Sequence, residues 1–489
     1  MHRWIMSVAA LPDRPLRLLF VTLGHVESDF YGRVGQTLRQ AGHDVAHVTY
    51  SRHAARRLAR KGQTAWCLPD RMLDLGDNVP ITREVERISG EYDVPTFRDI
   101  YRTDFVCDGR DESWCVERTV RHMLAMEQIF DEWRPDVVLP EVGNETLRIA
   151  SHLVGVARGV PVLFLFFTIF PHPLRIYVDT MHAPIAGPGT LGPLGAERQA
   201  EVEAFIAEFT RRRTPIREPR ESRVTLYRLR IFVRHLVVKA IWDHDNEYLS
   251  PFRWLAGRVR ERFRAVLLRR YYSDALPDRP FVYFPLHVTD DYKIKRVIPH
   301  CADQASLVEQ VAGALPDGWD VVTKEHPMSI GRTPQSLLKR LTRMRNVRVV
   351  PPMYNSHDLI ESSRAVVVIS STVGLEALLY DKPVLTLGAP FYSGFGITLD
   401  IDSFAEIRTA VPAVLDFKPD HMRILQFLSA AMERCYPGAP VLVDRSDANA
   451  AMVAESVARA ARSALRKRGR SSAAVLAPRR TDLRATDPR

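Results

Sequence analysis

The stretch Asp320 to Thr398 constrains this chain more than any other. It opens D-V-V-T-K-E-H-P and, after a helix and a strand, continues A-V-V-V-I-S-S-T-V-G-L-E-A-L-L-Y-D-K-P-V-L-T-L-G. Twice an apolar, β-branched run stops at polar residues suited to an anion. The first set is Lys324 and His326; the second is Ser370, Ser371 and Thr372. The pattern predicts a helix from Thr372 to Tyr380 and a third apolar run from Pro383 to Leu387. Strand, polar switch, helix, strand is the order of a parallel α/β sheet, which takes its ligands at the carboxyl ends of its strands.

The preceding chain repeats that order less clearly. Leu16 to Gly24 reads as a buried strand, Ser28 to Ala41 as a helix with Ser28 as its N-cap, and Val45 to Tyr50 as the next strand. Residues Ser51 to Tyr101 read as irregular and charged. Cys115 to Trp133 has helical spacing, Asp136 to Pro140 is a strand with Glu141 and Glu145 just beyond it, and Thr146 to Arg158 is a helix. Val160 to Phe167 is a strand that empties into T-I-F-P-H-P-L-R-I-Y, including His172. Phe281 to Val288 begins a second series, with His287 and Asp290 at its tip, and Ala448 to Lys467 is an Ala-rich terminal helix expected to pack back across a domain.

A chain of 489 residues exceeds one ordinary core, so two domains with appendages are expected. The division is an N-terminal extension (1–15), a Rossmann-like domain (16–195), a basic helical insertion (196–279), a second Rossmann-like domain (280–465) and a disordered basic tail (466–489). Apolar content of 46% and charged content of 26% are those of a soluble globular protein. No window approaches a bilayer-spanning run, and Met1 to Pro15 makes a poor signal peptide. The five cysteines are scattered, odd in number and without metal-ligand spacing, which fits reduced thiols in a cytoplasmic protein. The net charge of +10 is uneven: residues 211–270 hold 17 Lys and Arg against 6 Asp and Glu, and residues 459–489 hold 10 against 2. The first basic region interleaves Arg with Leu, Val, Ile, Phe and Trp at helical intervals, a composition that suits either a bilayer surface or the protein's own surface. It lacks the module of a nucleic-acid binder.

A phosphate-bearing ligand at these strand ends would meet fixed donors. Ser370, Ser371 and Thr372 offer hydroxyls at a helix start, Gly374 lets the backbone come close, and Lys324 brings charge. His326 can donate a hydrogen bond or a proton to a departing phosphate, and Glu376, one turn beyond Thr372, can accept from ribose hydroxyls. The sequence has no D-x-D motif at a suitable strand tip, and no metal is expected.

K-E-H-P followed by S-S-T-V-G-L-E-A-L-L-Y-D-K-P-V-L-T-L-G-A-P-F-Y-S-G-F-G-I-T resembles the capsule polysaccharide biosynthesis and export family. Those are bacterial GT-B glycosyltransferases that include the β-Kdo transferases of capsule linker assembly. K-x-H-P and the paired serines also resemble the donor motifs of bacterial sialyltransferases, which use CMP-activated acidic sugars. The resemblance covers Phe281 to Thr398. It implies an α/β, GT-B-like fold of two Rossmann-like domains facing across a cleft, with the basic helical insertion as an addition. Lys324, His326, Ser370, Ser371, Thr372 and Glu376 would bind the donor nucleotide. F-P-L-H-V-T-D-D corresponds to the family's P-L-Q-x-x-x-D stretch, with His287 in place of glutamine and Asp290 near the acidic position. Phe166 to Tyr177 lacks the carboxylate usual in the family. Glu141 and Glu145 are therefore the first candidates for the base, followed by His25, Glu27, Asp29 and His172.

The resulting expectation is a metal-independent glycosyltransferase with no cofactor beyond a nucleotide-sugar co-substrate, a CMP-sugar favoured. The acceptor would be a lipid-linked glycan or polysaccharide in surface polysaccharide synthesis. The location would be cytoplasmic, with peripheral contact to the anionic inner face of the plasma membrane. The alternatives are a UDP-sugar 2-epimerase of the same fold and a non-catalytic glycan-binding component of polysaccharide export.

Overall fold

The computed structural model describes residues 14–476 apart from 93, 186 and 214–225. Most of the expected N-terminal extension and residues 477–489 of the expected tail lie outside the described residues.

Apolar runs without alternation fit strands buried on both faces, and here they form two parallel sheets. In the first, β1 (Arg17–Thr22), β2 (Asp44–Thr49), β3 (Thr64–Cys67) and β4 (Val137–Pro140) lie in the order β3-β2-β1-β4. A hairpin of β5 (Leu163–Phe167) and β6 (Leu174–Val178) adjoins β4 through one parallel bridge, Val138 to Val162. The second sheet comprises β7 (Phe281–Pro285), β8 (Asp320–Lys324), β9 (Val347–Val350), β10 (Ala365–Val368), β11 (Val384–Thr386) and β12 (Leu399–Asp400). Its order is β12-β11-β10-β7-β8-β9, with every pair parallel. A short β13 (Cys435–Tyr436) returns to pair antiparallel with β6.

Both sheets reverse direction once. The chain runs outward from β1 to β3 and then places β4 on the other flank of β1. It runs from β7 to β9 and then places β10 on the other flank of β7. Each reversal opens a crevice at the carboxyl ends of the two inner strands, the usual ligand position in such sheets. The α/β class with two parallel sheets agrees with the sequence reading.

Several local expectations are corrected. The first helix spans His25–Gln40 with Gly24 at its N-cap; Ser28 lies inside it, its hydroxyl donating back to Gly24 O at 3.0 Å. Residues 51–101 are not irregular. They hold the helices Arg52–Arg60, Leu68–Asp74 and Ile81–Glu91 and the edge strand β3. The Thr372 helix stops at Leu378, and the terminal helix runs on through residues expected to be tail, from Asp447 to Leu476. That helix packs on His25–Gln40, and its Val453, Val457 and Ala461 share a core with Leu18 and Phe20. Residues 447–465 thus belong with the first sheet and not the second. The helix Ala196–Arg212 packs instead on His421–Glu433 of the second unit, burying Val202.

The basic region forms the helices Leu226–Ile241 and Pro251–Leu268. Their connector is tied into the first unit. Asp243 accepts from the Ser51 hydroxyl and from His53 N, and Glu247 pairs with Arg118 at 2.6 Å. The Tyr248 hydroxyl donates to Asp104 at 2.6 Å, and Asp104 and Arg118 form a 3.3 Å ion pair sealed from solvent. All five cysteines are free thiols, four of them buried.

Candidate functional site

The tips of β8 and β10 are not neighbours, because β7 runs between them. His287, just past β7, fills the middle position. Its Nε2 accepts the Ser370 backbone N–H at 3.1 Å, while Gln304 holds its own backbone N–H at 2.8 Å. An acceptor Nε2 leaves the proton of the neutral ring on Nδ1. Burial, then Lys293 and His326, lower its pKa to about 3, so the ring is neutral at any ordinary pH.

Lys324 and Glu376 are buried to the same degree as Ser370. The Lys324 ammonium donates to Tyr354 O and the Ser356 hydroxyl, both at 2.7 Å, and its side chain is buried. Burial lowers its pKa to about 8, with Glu376 opposing. Burial raises Glu376 to about 7, and the Thr372 hydroxyl and Lys324 pull it back. Through its bonds to Tyr354 and Ser356, Lys324 ties the tip of β8 to the loop after β9.

The hydroxyl run divides into separate roles. Ser371 caps its helix by accepting from Val373 N at 3.2 Å, and its carbonyl accepts from the Tyr392 hydroxyl at 2.6 Å. Ser370 Oγ is buried with no hydrogen-bond partner among the described residues. A buried hydroxyl without a partner costs roughly 1–3 kcal/mol, so this atom stands out as a position for a ligand to satisfy. Gly374 does not make room for a ligand, because the space beside it holds the Tyr392 hydroxyl and Val368. His326 accepts from Met328 N at 3.1 Å through Nδ1, which leaves Nε2 as its donor. Asp290 is exposed and ion-paired to Arg332, which joins the loops after β7 and β8.

Lys293 was not singled out by the sequence reading. It begins a π-helical turn, Lys293–Val297, and its Nζ lies 3.4 Å from Ser370 O. Burial lowers its pKa, with Asp291 opposing. Burial, and then the Lys293 charge, lower the pKa of His182 in the first unit, whose ring bonds Ala389 O at 2.7 Å. The position, three residues past Asp290, was a usable signal; the non-α turn that re-aims the side chain was not. Beside it Arg296 donates twice to Asp99 O, at 3.0 and 2.6 Å, across a cavity of about 410 Å³ between the units.

At the other reversal Glu141 ends β4, buried, and accepts from the Tyr31 hydroxyl. Burial and the neighbouring Glu27 raise it to about 7, while Arg148 opposes. Arg148 pairs with Glu27 at 2.7 Å and with Glu145 at 3.1 Å. Burial also raises Glu145 despite that partner. Arg148, three residues after Glu145 on one helix face, was legible from spacing; Tyr31, arriving from another helix, was not. His25 is buried against His235 of the insertion at 5.2 Å, and burial followed by Arg234 lowers it to about 4. Asp29 is paired with Arg57 at 3.0 Å, and His172 stands exposed at the β5–β6 turn.

The sequence model of the family described as Capsule polysaccharide biosynthesis protein matches residues 241–426. Protein FixF of Sinorhizobium fredii is 31% identical over 150 residues, which cover 30% of this chain and 36% of that protein. The capsule polysaccharide modification protein LipA of Neisseria meningitidis is 32% identical over 81 residues, covering 17% of this chain and 12% of LipA. Among solved structures, KpsC of Thermosulfurimonas dismutans, a beta Kdo 2,7 transferase, aligns with 20% identity and a TM-score of 0.31. That alignment covers 66% of this chain and 88% of the other.

Proposed function

We propose, from the match of residues 241–426 to the capsule polysaccharide biosynthesis protein model, that the chain transfers a sugar from a nucleotide-sugar to a growing surface glycan. A CMP-sugar is the favoured donor and a lipid-linked glycan or polysaccharide the acceptor. The protein works at the inner face of the plasma membrane. The donor nucleotide lies at the β7/β10 reversal and the acceptor hydroxyl at the β1/β4 reversal.

The observation that carries this reading is the unpartnered Ser370 hydroxyl beside Lys293, with the His287 ring fixed between the two flanking tips. A phosphate there gains a hydroxyl donor and an ammonium. Donors of this kind stabilise negative charge where it develops. No metal is required in this scheme. Glu141, with a pKa near neutrality, takes the proton from the acceptor hydroxyl as its oxygen bonds to the anomeric carbon. The glycosyl–phosphate bond breaks at the same centre, and its electron pair leaves on the nucleotide phosphate.

Thermal unfolding in the presence of CMP, UDP, GDP and dTDP tests the donor site. One nucleotide should raise Tm in a concentration-dependent way, CMP being expected. If none does so for the wild-type protein, the proposed donor site is wrong. Turnover of UDP-GlcNAc without any acceptor would instead identify an epimerase.

A further inference from the structure

The helix Pro251–Leu268 has one face on the protein and, among the described residues, nothing covering the opposite face. On the inner side Trp254 stacks on Phe232 at 6.2 Å, Gly331 abuts the Glu261 backbone, and Arg264 donates to Thr333 O at 2.7 Å. On the outer side Phe252, Leu255, Val259, Phe263 and Val266 recur three or four residues apart, the spacing of a single helical stripe. Phe252 is 71% exposed, Val259 63% and Phe263 67%. The helix carries five arginines and one glutamate, and Arg253 and Arg260, both exposed, border the stripe. The Arg253 guanidinium lies over the ring of Phe105, itself 42% exposed.

We propose that this stripe lies in the interface of an anionic phospholipid bilayer, with Phe252, Val259 and Phe263 among the acyl chains and the bordering arginines at the lipid phosphates. A basic helix with one apolar face lies flat in such an interface, burying about 5–10 Å deep. No helix of the described residues is long and apolar enough to cross a membrane, so the contact is peripheral. Charge selects lipid over a second copy, because two such faces would bring like-charged arginine borders together. The connector bonds at Asp243, Glu247 and Tyr248 hold the helix pair to the first unit, so docking orients the whole chain. The contact bears on where the proposed transfer occurs but stands on the helix surface alone.

Full-length protein is sedimented with vesicles of phosphatidylcholine, with or without about a third phosphatidylglycerol. Wild type should bind the anionic vesicles and be released by salt. Phe252→Ser/Phe263→Ser should weaken partitioning at least about tenfold, and Arg253→Gln/Arg260→Gln should flatten the salt dependence. Because these side chains are exposed, Tm should stay at the wild-type value. Hydrogen exchange of wild type, which needs no variant, should slow across 251–268 on anionic vesicles. Docking is overturned if wild type does not partition, if F252S/F263S partitions equally, or if exchange is unchanged. It is also overturned if wild type forms a dimer in solution that F252S/F263S abolishes, which would assign the stripe to a second copy. Transfer to a water-soluble acceptor should be equal in wild type and F252S/F263S, so loss of docking and loss of transfer are read separately.

Discussion

His287 and Ser370 meet at 3.1 Å, ring nitrogen to backbone amide, across the strand pair where the second sheet reverses its order. The contact needs a neutral ring. The unfolded chain binds a proton on this histidine below its ordinary value of 6.5, whereas the folded protein resists it down to about 3. The contribution is therefore fully present above pH 6.5 and lost progressively as pH falls toward 3. His287→Gln keeps an acceptor for the amide, so stability above pH 7 should change little. Its dependence on pH between 6 and 4 should be shallower by up to about one proton. Denaturant unfolding at a series of pH values measures both, and an unchanged slope would contradict the neutral ring.

Ser370→Ala separates folding from binding. The hydroxyl has no partner among the described residues, so its removal should leave Tm unchanged or raise stability by up to about 1 kcal/mol. Nucleotide affinity should fall about tenfold, the loss of one hydrogen bond to a charged group. Calorimetric titration with the stabilising nucleotide checks the second half, and undiminished affinity would place the ligand elsewhere.

Glu141→Gln should reduce kcat by about 10²–10⁴ while leaving nucleotide affinity intact. In wild type the rate should rise with pH through about 7, where the buried carboxyl ionises. Retained turnover in the glutamine variant would remove Glu141 from the chemistry and turn attention to Glu27 and Glu145.

Gly374 and Tyr392 form a coupled pair. A methyl at 374 meets the Tyr392 hydroxyl, so Gly374→Ala should cost about 1–3 kcal/mol. Tyr392→Phe forfeits the bond to Ser371 O and should cost about 1 kcal/mol. The double variant should be less damaged than the sum, because removing the hydroxyl makes space for the methyl. A double-mutant cycle by chemical denaturation decides it.

Arg118→Met leaves Asp104 buried without its ion-pair partner and loosens Glu247 in the connector. The expected loss is about 3–5 kcal/mol, seen as a large drop in Tm. A small drop would mean that the Thr146 and Tyr248 donors satisfy Asp104 by themselves.

Much of this architecture was legible without coordinates. Near-continuous, β-branched or aromatic apolar runs such as Phe281 to Pro285 and Ala365 to Val368 fit strands covered on both sides, and the polar residues that end them mark the ligand edge. Residues 51–101 were missed because β3 is a short, partly exposed edge strand without strong periodicity. The packing of the site was not legible where neighbours came from distant sequence. Tyr392 fills the space at Gly374, and Ser356 holds the Lys324 ammonium.

By itself the sequence determined the elements and their polar tips, because burial on two faces and the chemistry of turns are local properties of the chain. Tertiary structure alone decided the order of the strands, and with it that β7 separates β8 from β10 and puts His287 at the centre. It also decided that Lys324 is held by Tyr354 and Ser356 while Lys293 comes to Ser370. Strand order and side-chain partners depend on contacts between residues far apart in the chain, and no local pattern encodes them.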